Sequence, residues 1–116
     1  MGPPVIHFEI GCRDIEKTSD FYSRVFGWEM TRMGCATMIK TDAGGIAGHL
    51  VSLGHEPHNF VTVYVEVVDL QGYLDEAGPL GGKTLVPRVK LPGDQGSFAR
   101  MADLAGNLIG LWNTKV

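Results

Sequence analysis

The chain contains an internal repeat, which constrains its fold more than any other feature of the sequence. An alternating segment that leads into an aspartate, Val5–Ile15, recurs 55 positions later (15 to 70) as Phe60–Leu70. A glycine-rich segment that follows an aspartate, Asp42–Leu50, recurs 61 positions later (42 to 103) as Asp103–Leu111. Because both halves repeat the same order of segments, the 116-residue chain is predicted to contain two copies of one module. We expect the modules to cover about residues 4–54 and 58–116 of a single domain.

Each half of the sequence predicts a strand, a helix and three further strands. The lead strands, 5–10 and 60–67, alternate with the two-residue period of a β-strand. The helices are predicted to begin at Asp14 and Asp69, because an aspartate side chain caps a helix N-terminus well, and Gly27 is expected to end the first. The other strands are predicted at 28–33, 35–41, 46–53, 82–86, 98–102 and 108–113, with a polar loop at 87–96.

Composition and charge exclude several classes of protein. The net charge of −3 argues against binding to nucleic acid or to an anionic membrane. Every apolar stretch is shorter than the roughly 20 residues that a membrane-spanning helix needs. Because the sequence shows no secretory signal segment, we expect a cytoplasmic protein in which Cys12 and Cys35 are reduced. A disulfide between these two cysteines is the less favoured alternative.

Polar side chains share one face of each lead strand. The first strand places His7 and Glu9 on this face, and the second places Thr62, Tyr64 and Glu66 there. A strand with one side in solvent would show the same pattern. Since the two lead strands occupy equivalent places in the repeat, the favoured prediction is that these faces line a shared cavity.

Segments in both halves of the chain match the motifs of a known protein family. In the first half these are His7–Ile10 and Asp14–Trp28, which includes a Phe-Tyr pair and a Phe-Gly-Trp run. In the second half they are Tyr64–Leu70, Leu80–Lys83 and Asp103–Trp112. The chain thus resembles, over nearly its whole length, the glyoxalase-like branch of the glyoxalase/bleomycin-resistance/extradiol-dioxygenase superfamily, also called the vicinal oxygen chelate superfamily. This resemblance implies an α+β fold in which two βαβββ modules form a cupped mixed sheet around a central cavity.

The resemblance also implies four positions where a metal ligand would be found. Metal-dependent members bind a divalent ion on the first and last strands of each module, and the ion stabilises negative charge on substrate oxygens. In this sequence the four positions hold His7, His49, Thr62 and Gly110, so that two imidazoles are present and two ligands are missing. Two neutral imidazoles alone make a weak site for Zn, Ni, Fe or Mn, and Glu9 is the nearest residue that could complete it. Both a divalent metal site and a metal-free pocket therefore stay open.

Two further features have both a structural and a functional interpretation. His55 and His58 lie in a turn-rich segment with Pro57, which favours a solvated loop over a helical metal-binding pair, although the loop could add to a site. Trp112 shares a strand face with Gly110, where it could pack in the core or lean over an apolar ligand.

Two functional classes follow from these residues. One is a small-molecule lyase- or isomerase-type enzyme in which Glu9 is the candidate general base, with or without a metal. The alternative is a metal-free protein that sequesters a small organic ligand, as the bleomycin-resistance members do. The missing ligands argue against an authentic glyoxalase I. In either class the expected ligand contacts are Thr62, Tyr64, Glu66 and Trp112, and the resemblance implies a homodimer.

Overall fold

The order strand, helix and three strands occurs twice in the computed structural model, which describes residues 2–52 and 60–115. This order confirms the predicted α+β fold with two βαβββ modules. A short 3-10 turn, Gly78–Leu80, follows the second helix. The elements are β1 (Val5–Gly11), α1 (Ile15–Phe26), β2 (Glu29–Met33), β3 (Ala36–Lys40), β4 (Ala47–Val51), β5 (Phe60–Glu66), α2 (Leu70–Ala77), β6 (Lys83–Lys90), β7 (Ser97–Ala102) and β8 (Leu108–Asn113).

Both helices begin at the predicted aspartates. The side chain of Asp14 accepts a hydrogen bond of 3.0 Å from the backbone N–H of Lys17. Asp69 accepts an equivalent bond of 3.0 Å from the N–H of Gly72. Helix α1 ends at Gly27, whose φ of 71° lies in the left-handed region that glycine enters without strain. The caps of the repeat are therefore set by local sequence, as predicted.

The chain divides into two compact units, and the first extends from Ile6 to Thr62. Its strands follow the order β2-β3-β4-β1. Strand β1 is parallel to β4, and β3 is antiparallel to both β2 and β4. The apolar core of this unit joins the start of α1 to the central strands and consists of Cys12, Ile15, Ile39 and Leu50.

The second unit combines the residues before Ile6 with those from Val63 onward. Its strands follow the order β5-β8-β7-β6, in which β5 is parallel to β8 and the remaining pairs are antiparallel. This is the same arrangement as in the first unit. Its core packs α2 on the sheet through Val67, Leu70, Leu74, Ala99 and Leu111.

Strand β6 is longer than predicted. It continues to Lys90, so the first four residues of the predicted loop at 87–96 belong to a strand, and that prediction was wrong. Pairing with β7 shifts register between Val86 and Val89, which brackets Pro87. Proline is tolerated on edge strands and at irregular register, and Pro87 lies at such an irregularity in β6, the last strand in the order of its unit.

The cysteines and the helices bear on two predictions from composition. Cys12 is buried and Cys35 is exposed, and both are free thiols, so the disulfide alternative is wrong. Neither described helix has the length and apolar character needed to cross a membrane.

Candidate functional site

The polar faces of the lead strands are buried. Glu9 has no exposed surface, and His7 keeps 7 % of its own. On β5, Thr62 and Tyr64 are buried to a similar degree, whereas the neighbouring Val61 is 71 % exposed. The solvent-exposed interpretation is therefore wrong for these four side chains, whereas Glu66 on the same face of β5 is half-buried. Buried polar groups need hydrogen-bond partners, and these partners define the site.

Glu9 and His49 form the first pair of the site. They are register partners on the parallel strands β1 and β4. The Nε2 atom of His49 lies 3.2 Å from Oε1 of Glu9. Since an ionised carboxylate can only accept, Nε2 of His49 carries the hydrogen in this pair. The carboxylate thereby fixes the orientation and the tautomer of the imidazole.

His7 extends this pair into a chain of three side chains. Its Nε2 atom lies 2.8 Å from Nδ1 of His49, and the two ring centroids are 5.0 Å apart. With hydrogen on Nε2 of His49, Nδ1 accepts and Nε2 of His7 donates. We call this connected set the Glu9–His49–His7 chain. Such a sequence of alternating donors and acceptors can move a proton between its members.

The histidine at the end of this chain is uncharged at neutral pH. Burial, and then the neighbouring His49, lower the pKa of His7 to about 4 from 6.5, although the charge of Glu9 acts in the opposite direction. A neutral His7 has one N–H, which suits its role as the donor to His49. A positive charge at His7 is therefore disfavoured.

The second module replaces this arrangement with an aromatic ring. Tyr64 and Gly110 are register partners on β5 and β8, as Glu9 and His49 are on β1 and β4. A Cβ atom on Gly110 would collide with the ring of Tyr64. The ring of Tyr64 thus occupies the space that a side chain would need at Gly110, the position where the resemblance implies a metal ligand.

Arg100 lies beside Tyr64 in the second module, although no pattern in the sequence indicated it as a site residue. Its Nε atom donates a hydrogen bond of 3.1 Å to the hydroxyl oxygen of Tyr64. Arg100 is the β7 register partner of Gly110, so Tyr64 and Arg100 meet across a residue without a side chain. Only the alternation of β7 could have indicated Arg100, and it does not reveal which residue lies opposite.

The remaining predicted ligand contacts have partners within the second unit. Glu66 accepts a hydrogen bond of 2.7 Å from the hydroxyl of Thr114. The indole N–H of Trp112 donates to the carbonyl of Gln95 at 2.8 Å, and its ring meets that of Tyr64 edge-on at 6.5 Å. Contact of these residues, and of Thr62, with a ligand stays a prediction.

A comparison with known protein families decides the assignment of the chain. The sequence profile of the Glyoxalase/Bleomycin resistance protein/Dioxygenase superfamily matches residues 5–111. The chain belongs to this superfamily. No curated protein matches the chain.

Solved structures of the superfamily fold resemble this member closely in backbone and little in sequence. Methylmalonyl-CoA epimerase from Mycobacterium tuberculosis has a TM-score of 0.72 and 12 % identity, over 94 % of this chain and 86 % of that one. A variant of the Streptomyces coelicolor epimerase, in complex with 2-nitronate-propionyl-CoA, has a TM-score of 0.71 and 17 % identity, over 97 % and 95 %. A superfamily member from Vibrio splendidus 12B01 has a TM-score of 0.66 and 16 % identity, over 96 % and 98 %. At these identities the likeness shows the fold.

The described residues of this superfamily member do not fit a resident divalent ion. Within residues 2–52 and 60–115, no group of three or more His, Cys, Asp or Glu side chains could hold a metal. A zinc-like site needs its donors around one point, at about 2.0–2.1 Å for nitrogen. Here His7 and Glu9 bond to opposite nitrogens of His49, and these nitrogens point in diverging directions. The predicted His55 and His58 lie outside the described residues.

Proposed function

We propose that this chain is an isomerase-type enzyme that moves a proton next to a carbonyl group of a small organic substrate. The observation that carries this proposal is the buried Glu9–His49–His7 chain, with contacts of 3.2 Å and 2.8 Å. A carboxylate that orients an imidazole, with a second imidazole beyond it, is an arrangement suited to general acid–base catalysis.

In this proposal an imidazole, and not Glu9, takes the proton from the substrate. The side chain of Glu9 is fully buried, whereas that of His49 is 18 % exposed. The C–H bond breaks, the proton passes to the imidazole pair, and the electron pair moves to the carbonyl oxygen as an enolate. Return of a proton from the imidazole pair to the opposite face of the same carbon, with the electron pair moving back from oxygen, inverts that carbon and completes an isomerisation. Glu9 is then a positioning residue that stabilises the imidazolium, which differs from the general base that we expected from the sequence.

The low pKa of His7 determines where the positive charge rests. Because this pKa is about 4, positive charge does not rest on His7 at neutral pH, and in the proposed path the proton passes along the 2.8 Å contact to His49. At His49 the imidazolium lies against the carboxylate of Glu9, which compensates its charge in a buried setting. The proposed chain can thus hold one exchangeable proton while His7, where positive charge is disfavoured, stays neutral most of the time.

The structural neighbours support an isomerase-type reaction on a small ligand. Several of them are methylmalonyl-CoA epimerases, and one of these is in complex with methylmalonyl-CoA and NH4+. Since their identity to this chain is only 12–17 %, they supply a first substrate to test and do not name the substrate.

Deuterium exchange tests the proposal directly. The protein would be incubated in D2O with methylmalonyl-CoA and then with other small carbonyl compounds that have an acidic α-hydrogen, and label at the α-carbon would be followed by NMR. We expect exchange, and we expect His49→Gln to slow it by about 100-fold or more. Glu76→Gln changes an exposed glutamate and is the matched control for Glu9→Gln. Equal exchange rates in wild type, His49→Gln and Glu9→Gln would refute the proposed proton path.

Sequestration of a small ligand is the second candidate function. It is favoured by Tyr64, whose ring fills the ligand position of Gly110. The same experiment separates the two functions. Saturable binding of a carbonyl compound without label at its α-carbon would favour sequestration over catalysis.

A further inference from the structure

A pocket outside the Glu9–His49–His7 chain lies in the first unit, where α1 passes into β2 next to the end of β3. It is a depression open to solvent with a volume of about 440 Å³, which is within the usual range for small-molecule sites. It is lined by residues 26–29, which include Phe26 and Trp28, and by residues 40–43. The pocket uses none of the residues discussed so far as catalytic or ligand-binding.

The wall of this pocket is aromatic and partly exposed. The rings of Phe26 and Trp28 have centroids 4.9 Å apart, and Phe26 is 58 % exposed. Trp28 also stacks on Tyr22 at 5.6 Å with an interplanar angle of 14°, which holds the indole in place. Aromatic faces attract cations through their quadrupole, and tryptophan does so most strongly.

The charges around the pocket have the sign that favours a cation. Lys40 and Glu29 are register partners on β3 and β2, so their opposite charges lie side by side and compensate. Asp42 adds one further negative charge to the lining. The C-terminus of α1, at Phe26, contributes the partial negative charge of its last carbonyl groups.

We infer that this pocket binds a small organic cation, with its ammonium group between the aromatic faces of Phe26 and Trp28 and the carboxylate of Asp42. An inorganic cation would gain little from the aromatic wall, because its hydration shell would separate it from the rings. A neutral or anionic molecule of the same size would lose the attraction of Asp42 and the rings. The aromatic rings and the negative charge of Asp42 together therefore indicate an organic cation as the ligand.

Matched probes of one size test this inference. Butylammonium, butanol and butyrate would be titrated separately into the 15N-labelled protein at constant ionic strength. We expect butylammonium to shift the indole N–H signal of Trp28 in a saturable way, with an affinity at least about fivefold above that of the other two probes. The indole N–H of Trp112, which donates to Gln95, is an internal control that should not move.

Two variants locate the binding energy. Phe26→Ala removes an exposed ring, and Asp42→Asn removes one negative charge of the lining; each should weaken binding of butylammonium about two- to fivefold. Asp94→Asn changes an exposed aspartate of the second unit and should leave binding unchanged. Thermal melts of all variants verify folding. Equal affinity for the three probes, or unchanged affinity in folded Phe26→Ala and Asp42→Asn, would overturn the inference.

Discussion

The ring of Tyr64 occupies the space that a side chain at Gly110 would need. In the first module the equivalent register partners, Glu9 and His49, bind each other through their side chains. The equivalent register pairs of the two modules therefore differ. In the first module the two side chains are joined by a hydrogen bond that involves a carboxylate, and in the second an aromatic ring packs over a glycine. This difference can be tested.

Gly110→Ala should destabilise the protein by about 1–3 kcal/mol, because the added methyl group forces the buried Tyr64 ring to move. Urea denaturation would measure the loss. Gly44→Ala is the control, since a Cβ atom there meets no atom within 4 Å. Tyr64→Leu in the Gly110→Ala background should cost less than Tyr64→Leu alone. Simple additivity of the two changes would contradict the proposed contact.

His49→Gln should raise the pKa of His7 above its value of about 4. Repulsion by the neighbouring His49 is one of the two causes that lower this pKa. Without His49, only burial still lowers it, while Glu9 continues to raise it. Glu9→Gln should have the opposite effect, because the carboxylate raises this pKa. NMR titration of the His7 ring proton would measure both shifts. A His7 pKa that is the same in both variants would show that the side chains do not interact.

Stability should fall as the pH decreases from about 6.5 to about 4. In this interval an unfolded chain protonates His7, whose ordinary pKa is 6.5, whereas the folded chain does not. Proton binding therefore lowers the free energy of the unfolded state relative to the folded state. The resulting loss of stability approaches roughly 3 kcal/mol at pH 4. Urea denaturation at pH 7 and pH 4 would measure this, with His7→Gln as the comparison. The expected difference between the two proteins is a weaker pH dependence in His7→Gln.

Zn²⁺ or Ni²⁺ should leave the melting temperature of tag-free protein unchanged. His7 and Glu9 bond to opposite nitrogens of His49, so the three side chains do not surround one point. A His55→Ala, His58→Ala background removes the two histidines outside the described residues. Stabilisation by several degrees in this background, reversed by EDTA, would show that the His7–His49 pair opens to bind metal.

Much of the fold could be predicted because its signals are local. The caps at Asp14 and Asp69 need only residues within one helical turn, and the hydrogen bonds to Lys17 and Gly72 are found where expected. The repeat also identified Gly110 as the equivalent of His49, and the register of β5 and β8 agrees with this. The length of β6 was missed, because Pro87 indicates a loop unless the strand is known to be last in its order.

The chemistry of the site could be predicted only in part. The sequence identified His7, Glu9 and His49, yet it did not show that His7 and His49 bond directly across 42 positions of sequence. That bond depends on the register of β1 against β4, which no local pattern specifies. Arg100 was not predicted for the same reason, since its partner Tyr64 is 36 positions away in the sequence.

The proline and irregular register of β6 have a consequence for behaviour at high concentration. An outer strand with regular backbone spacing can recruit the edge of another molecule and start a fibril. Here Pro87 removes one donor, and the exposed Lys83, Arg88 and Lys90 place like charges where a second β6 would have to dock. Aggregation through this strand is therefore opposed by both geometry and repulsion.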